Sequence, residues 1–158
     1  MRLTFFVPGQ PVPQGSKSAF ISKATGKPIV VDKDVRLPQW RMKITAYALD
    51  AKANTAMHLP IDGAVGVQIT FFMPRPKSHY GSGKNANNLK PSAPLYPAVM
   101  PDLDKMLRAV FDALTDAQVW HDDGQVVFAN TTKRYEGDAG PGVEVVVGPM
   151  TSPLRSNP

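Results

Sequence analysis

Six of the chain's thirteen acidic residues fall between positions 101 and 123: Asp102, Asp104, Asp112, Asp116, Asp122 and Asp123. Four of them form two close pairs, Asp-Leu-Asp at 102–104 and Asp-Asp at 122–123. Adjacent carboxylates repel unless they are solvated, paired with cations or neutralised by a metal. Cysteine is absent, so thiolate sites are excluded and oxygen donors point to a hard cation, Mg²⁺ or Mn²⁺ in its place. Carboxylate-held metal suits phosphodiester hydrolysis, which needs an activated water, a shielded phosphate and a stabilised leaving oxygen. Arg108 stands four residues from both Asp104 and Asp112. It or Lys105 can supply a cation for the charged transition state. Each feature also has an ordinary use. Asp102 can cap a helix, acids suit a helix's first turn, and Asp104, Arg108 and Asp112 can form a surface ladder worth a few tenths of a kcal/mol per pair.

The surroundings of this acidic stretch are basic. Net charge is +5 and the pI is about 9.6, a balance that suits nucleic acid or another acidic partner. Residues 1–31 carry Arg2, Lys17, Lys23 and Lys27 without an acid, and residues 74–101 carry Arg75, Lys77, Lys84 and Lys90 without one. No run of apolar residues is long enough to span a membrane. The N-terminal stretch is broken too soon by Pro8 to read as a signal peptide. A reducing cytoplasm fits the lack of cysteine.

The elements that must position the acids follow from periodicity. Leu103, Leu107, Val110, Phe111 and Leu114 mark one face of a helix over about 102–117, started by Pro101 and Asp102. Trp40, Ile44, Tyr47, Ala48 and Ala51 mark another over about 38–57, with Pro38 in its first turn. Trp40 and Tyr47 at this spacing read as core rather than as base-stacking groups. Leu3–Val7 and Ala64–Met73 read as strands, the second with a clean apolar face of Val65, Val67, Ile69 and Phe71. Residues 19–21 and 28–31 read as a hairpin around Lys23-Ala-Thr-Gly26. Residues 125–135 and 143–147 read as a second hairpin across the glycine-rich turn at 136–142. The expected fold is a small two-layer α+β domain over 1–148, a mixed sheet packed with two helices, followed by a flexible tail at 149–158.

Two loops bear on function. Gly9 to Ser18 resembles a phosphate loop, but the order Gly15-Ser16-Lys17 is wrong for nucleotide binding. Residues 74–101 hold six prolines and form the longest irregular stretch. Long loops inside a compact domain are usually functional or disordered. Its lysines and arginine suit phosphates, and Tyr80 and Tyr96 can stack on exposed bases. Lys17, Arg75, Lys77, Lys84, Lys90 and Lys105 are therefore the candidate DNA contacts.

The run Pro101-Asp-Leu-Asp-Lys-Met-Leu-Arg-Ala-Val-Phe-Asp-Ala-Leu114, followed by Trp120-His-Asp-Asp-Gly-Gln-Val-Val127, resembles the RusA family of Holliday-junction resolvases, often carried by phages and prophages. The family pattern is Asp-Leu-Asp, then Phe-Asp-Ala-Leu, then Asp-Asp-x-Gln-Val. All three parts occur here in order. The segments 8–17 and 84–97 also look like phage-type members. The resemblance implies a homodimeric, Mg²⁺-dependent enzyme that resolves four-way DNA junctions by paired nicks in the host cytoplasm. It maps the essential aspartates onto Asp102, Asp104 and Asp123, with Asp122 beside them as a further metal neighbour. The family's catalytic lysine falls on Arg108, a departure that keeps the charge but not the titratable ammonium. His121 has no counterpart in the pattern and reads as a neighbour. Two other readings compete: a branched-DNA-binding accessory protein without catalysis, and a general Mg²⁺ nuclease of flaps and forks. An EF-hand is excluded by its spacing.

Overall fold

A computed structural model describes residues 1–15, 18–31 and 34–151. Four strands form one mixed sheet: β1 (Leu3–Pro8), β4 (Val65–Met73), β5 (Val126–Tyr135) and β6 (Gly142–Pro149). Their order is β1-β6-β4-β5. β6 runs antiparallel to both β1 and β4, whereas β5 runs parallel to β4. Two helices, α1 (Leu37–Ala53) and α2 (Leu103–Asp116), pack against each other, α1 beside β1 and α2 beside β5. This is the small α+β domain expected, with each helix end within a few residues of its predicted position. The tail from residue 152 lies outside the described residues.

Alternation builds the core. Val65, Val67, Ile69, Phe71 and Met73 of β4 are buried with Val143, Val145 and Val147 of β6 and Leu3 and Val7 of β1. Leu37, Trp40, Ile44 and Ala48 close the α1 side, while Tyr47, expected in the core, stays half exposed. On α2 the most buried residues are Met106, Ala109, Val110, Ala113 and Leu114; Leu103, Leu107 and Phe111 flank them, partly buried. The face centre therefore lies one position from that expected, because α2 packs against α1 as well as against the sheet side of β5 and buries small residues toward both.

The strands β2 (Ser18–Ile21) and β3 (Pro28–Val31) pair as expected, in register Ser18↔Val31. Their apolar side chains Phe20, Ile21, Ile29, Val30 and Val31 are exposed. The second expected hairpin does not form. β5 and β6 are not neighbours; β4 lies between them. Val143, Val145 and Val147 need a slot covered on both sides, and β6 finds it between β1 and β4. β5 carries Asn130, Thr131, Thr132, Lys133 and Arg134, a composition suited to an edge strand.

The arrangement that matters for the site is β4–α2–β5. Two parallel strands need a crossover, and α2 provides it. α2 therefore runs back along the strands. Its start lies at the ends of β4 and β5, and its end lies at the start of β5.

Candidate active site at the ends of helix α2

At the start of α2, Asp102 is the N-cap residue, but its side chain makes no capping hydrogen bond. Its Oδ2 instead meets Lys105 Nζ at 2.8 Å. This bond with Asp102, reinforced by the Asp102 charge, raises the Lys105 pKa above its usual value. Lys105 also feels the opposite charge of Asp104 and the like charge of Arg108. Asp102, Asp104, Lys105 and Arg108 thus form one electrostatic cluster on the first turns of the helix. Asp104 and Arg108 are exposed, and among the described residues no ion pair or hydrogen bond engages Arg108. A shallow pocket joins Asp102 and Lys105 to Pro13, Gly15, Asp34, Val35 and Met100.

Two oxygen donors on neighbouring positions, one half exposed and one open to solvent, fit a cation that keeps most of its waters. Mg²⁺ is commonly held this way, by one or two carboxylates and the substrate's phosphates. The fit is not to a preformed cage. Among the described residues no three His, Asp or Glu side chains stand together as a metal-holding group.

The other acids belong to different surroundings. Asp112 accepts from Gln14 Nε2 at 2.6 Å and pairs with Arg41 at 3.5 Å; Asp116 pairs with Arg41 at 2.8 Å. The ladder expected from Asp104 through Arg108 to Asp112 is therefore replaced by contacts from Gln14 and α1. The Gln14 backbone N–H also donates to the Lys105 carbonyl at 2.9 Å, so the loop from Gly9 to Gly15 straps α2. Lys17 lies outside the described residues.

Beyond α2, a single 3₁₀ turn at Asp123–Gln125 carries the second acidic pair. Asp122 is its cap: Oδ1 accepts from Gly124 N–H at 2.8 Å. A Cβ at position 124 would lie 2.7 Å from that oxygen, so glycine keeps the cap intact. Gln125 completes the box, its Oε1 accepting from the N–H groups of His121 and Asp122 at 2.7 and 3.1 Å. Its Nε2 donates to the carbonyls of Ile61 and Gly63 at 2.9 and 2.8 Å. One side chain thereby pins the acidic turn to the segment before β4. In the sequence Gln125 stands out only as part of a motif, because two of its four partners, Ile61 and Gly63, lie over sixty residues away. Gln125→Ala removes four hydrogen bonds from a half-exposed group. It should lower the melting temperature by several degrees, at about 1 kcal/mol for each of the better bonds, which a thermal melt reads directly.

Asp123 is exposed and lines a shallow pocket with Arg41, Asp112, Thr115 and Asp116. That is the far half of α2 from Asp102 and Asp104. Fourteen helical residues span roughly 20 Å at about 1.5 Å each, so the structure does not bring Asp123 to Asp102 and Asp104 within one chain. His121 meets Asp62 at 3.0 Å rather than any of the clustered acids.

The loop at 74–101 is more ordered than its prolines suggest. It contains two 3₁₀ turns, at Lys77–His79 and Gly83–Asn85, and a bridge between Tyr80 and Leu89. Arg75 stacks 3.9 Å over the Tyr135 ring and donates to the Pro94 carbonyl at 3.0 Å. Lys90 donates to the Ser78 carbonyl at 2.9 Å. These two candidate DNA contacts therefore also hold the loop. Lys77 and Lys84 are exposed, as are Leu95, Tyr96, Val99 and Met100 just before the Asp102 cluster. Lys133 Nζ donates to the carbonyls of Val99 and Pro101 at 2.6 and 2.9 Å, tying that approach to β5.

The family model for endodeoxyribonuclease RusA matches residues 8–148, nearly the whole chain. No curated protein matches it. No helix among the described residues is long and apolar enough to cross a membrane.

Proposed function

This chain belongs to the RusA endodeoxyribonuclease family, and from that premise we propose that it resolves four-way DNA junctions in a Mg²⁺-dependent reaction, as a homodimer making paired nicks in the host cytoplasm. The observation that carries the proposal is the cluster of Asp102, Asp104, Lys105 and Arg108 on the first turns of α2, at the end of a basic loop. Asp102 and Asp104 would hold the ion. When bound, it supplies Lewis acidity at the phosphodiester and shields its charge.

The chain's own residues do the rest. Arg108 has no partner among the described residues, so its guanidinium is available to a phosphate. It offers a rigid fork of donors and stays protonated throughout. It stabilises developing charge but transfers no proton. Lys105 is held on Asp102 in the free protein. An arriving phosphate competes for that ammonium, which releases the Asp102 carboxylate as substrate binds. Lys77 and Lys84 add salt-sensitive attraction along the DNA backbone. Tyr96 and Met100 present exposed flat and apolar surface where a branch point leaves bases unstacked.

Arg108 provides a graded test of this division of labour. Arg108→Ala should slow the chemical step by about 10²-fold, the scale for losing one charge-stabilising donor, with junction binding little changed. Arg108→Lys should recover most of the rate, since only charge is required. Single-turnover cleavage separates rate from binding. The function itself is tested on a labelled four-way junction in Mg²⁺ beside flap, fork and linear DNA. Symmetric paired nicks confined to the junction are expected. Equal cutting of flaps and forks would make it a general structure nuclease, and tight binding without cutting would make it an accessory protein.

A further inference from the structure

The ribbon of β2 and β3 stands apart from the four-stranded sheet. Opposed residues of an antiparallel pair share a face. Phe20 and Ile29 therefore lie on one side with Val31, while Ile21, Pro28 and Val30 lie on the other with Ala19. A ribbon serving the core would bury one of these faces. Neither is buried: Phe20 is 51%, Ile21 71% and Val30 58% exposed. The turn between the strands is held by its own backbone. Ser22 N–H donates to the Lys27 carbonyl at 2.9 Å, and Gly26, at φ 66°, donates to the Ser22 carbonyl at 2.8 Å. This turn displays Lys23 and Lys27, both exposed, and residues 18–31 hold no acid.

The roots of the ribbon are fixed beside the acidic cluster. Just before β2, buried Gln14 is bonded through its N–H to the Lys105 carbonyl and through its side chain to Asp112. Just after β3, the Asp34 carbonyl accepts from the N–H of buried Leu37, and the Asp34 carboxylate pairs with Arg36 at 2.7 Å. Gly15, Asp34 and Val35 share a shallow pocket with Met100, Asp102 and Lys105. Four strand residues rise about 13 Å. A phosphodiester lying at Asp102 thus brings its own neighbourhood within reach of the ribbon. Two lysines without an acid suit DNA as the occupant. Two bare apolar faces suit a gap between two base-pair stacks, whereas a groove floor or a protein surface would cover only one. Apolar wedges enter DNA between base steps by unstacking them. Where arms of a branched DNA meet, the stacks already end, so the least unstacking is needed there.

We propose that the β2–β3 hairpin selects branched DNA: its apolar ribbon enters between the base-pair stacks where the arms meet, and Lys23 and Lys27 hold the flanking phosphates. The proposal deepens the nuclease reading above and rests on it for the substrate, but its test needs no cutting.

A four-way junction carrying 2-aminopurine beside the branch point, and a linear duplex carrying it in mid-sequence, are titrated with protein in EDTA. The wild type should brighten the junction probe, as the base unstacks, and leave the duplex probe dark. Phe20→Ser with Ile29→Ser alters exposed side chains only, so its melting temperature should match the wild type. It should lose the brightening, and its preference for junction over duplex should fall about tenfold with duplex affinity unchanged. Lys23→Ala with Lys27→Ala should instead weaken binding to both DNAs and flatten the salt dependence by about one phosphate contact for each lysine. Full brightening and preference in the Phe20 and Ile29 variant would overturn the proposal. So would equal loss on junction and duplex, which would mean a groove contact. A change in that variant's sedimentation without DNA would also overturn it, since a second copy would then cover the ribbon. A wild type that brightens the junction but cuts no DNA would sink the nuclease reading and leave the hairpin's role standing.

Discussion

Replacing Asp104 by Asn is expected to abolish junction cleavage, by at least about 10²–10³-fold, while junction binding holds or tightens. The substitution keeps shape and removes one negative charge. Asp104 is exposed on the first turn of α2, so the fold loses only its favourable interaction with the helix dipole, about 0.3–1 kcal/mol. Binding gains, because a carboxylate facing DNA phosphates is repulsive until a cation lies between them. Catalysis loses, because an amide oxygen is a weaker donor to a hard cation than a carboxylate. Electrophoretic binding in EDTA beside cleavage in Mg²⁺ measures both effects on one preparation. Equal loss of binding and cleavage would mean that Asp104 shapes the surface instead of serving the chemistry.

The largest stability effect is expected at Trp120. Its side chain is 1% exposed, its indole N–H donates to Thr115 Oγ1 at 2.7 Å, and Phe111 meets it edge to face with ring centres 5.5 Å apart. Thr115 Oγ1 in turn donates to the Phe111 carbonyl at 3.0 Å. Trp120→Ala leaves a large cavity and takes away the donor to Thr115 Oγ1, a cost of about 3–5 kcal/mol. At this chain length that lowers the melting temperature by roughly 10 °C. Trp120→Phe keeps most of the ring volume and should cost far less. Circular dichroism melts of the two variants compare cavity with hydrogen bond. Trp120 also precedes the acidic turn directly, so the alanine variant should lose cleavage at temperatures where it is still folded.

Local pattern made much of this protein legible in its sequence. Both helices, the strands β1 and β4 and the first hairpin follow from apolar spacing and turn residues, because each depends on neighbours within a few positions. The second hairpin shows where that logic ends. Gly137 to Gly142 supplies turn residues suited to a hairpin, yet Val143, Val145 and Val147 are buried only by strands from far along the chain. Pairing of that kind is decided by which slot covers the most apolar surface. The acidic site divides in the same way. Asp102, Asp104, Asp122 and Asp123 stand out by type and spacing. The bonds from Gln125 to Ile61 and Gly63 and the strap from Gln14 to α2 do not, because their partners meet only in three dimensions. The distance from Asp123 to the Asp102 cluster needed topology as well: the helix between Asp104 and Asp123 was legible, but not that the residues after it stay at its far end.

The strand order has a further consequence during synthesis. β6 is the last of the four sheet strands to leave the ribosome, yet it lies between β1 and β4. Until Gly142–Pro149 emerges, the first strand has no neighbour in the sheet and β4 has one bare side. The helix bearing the acids therefore has no finished sheet to rest on. A nascent or prematurely terminated chain would lack the rigid platform that orients these groups. The surface that carries Asp102 and Asp104 is thus assembled only once β6 has been made.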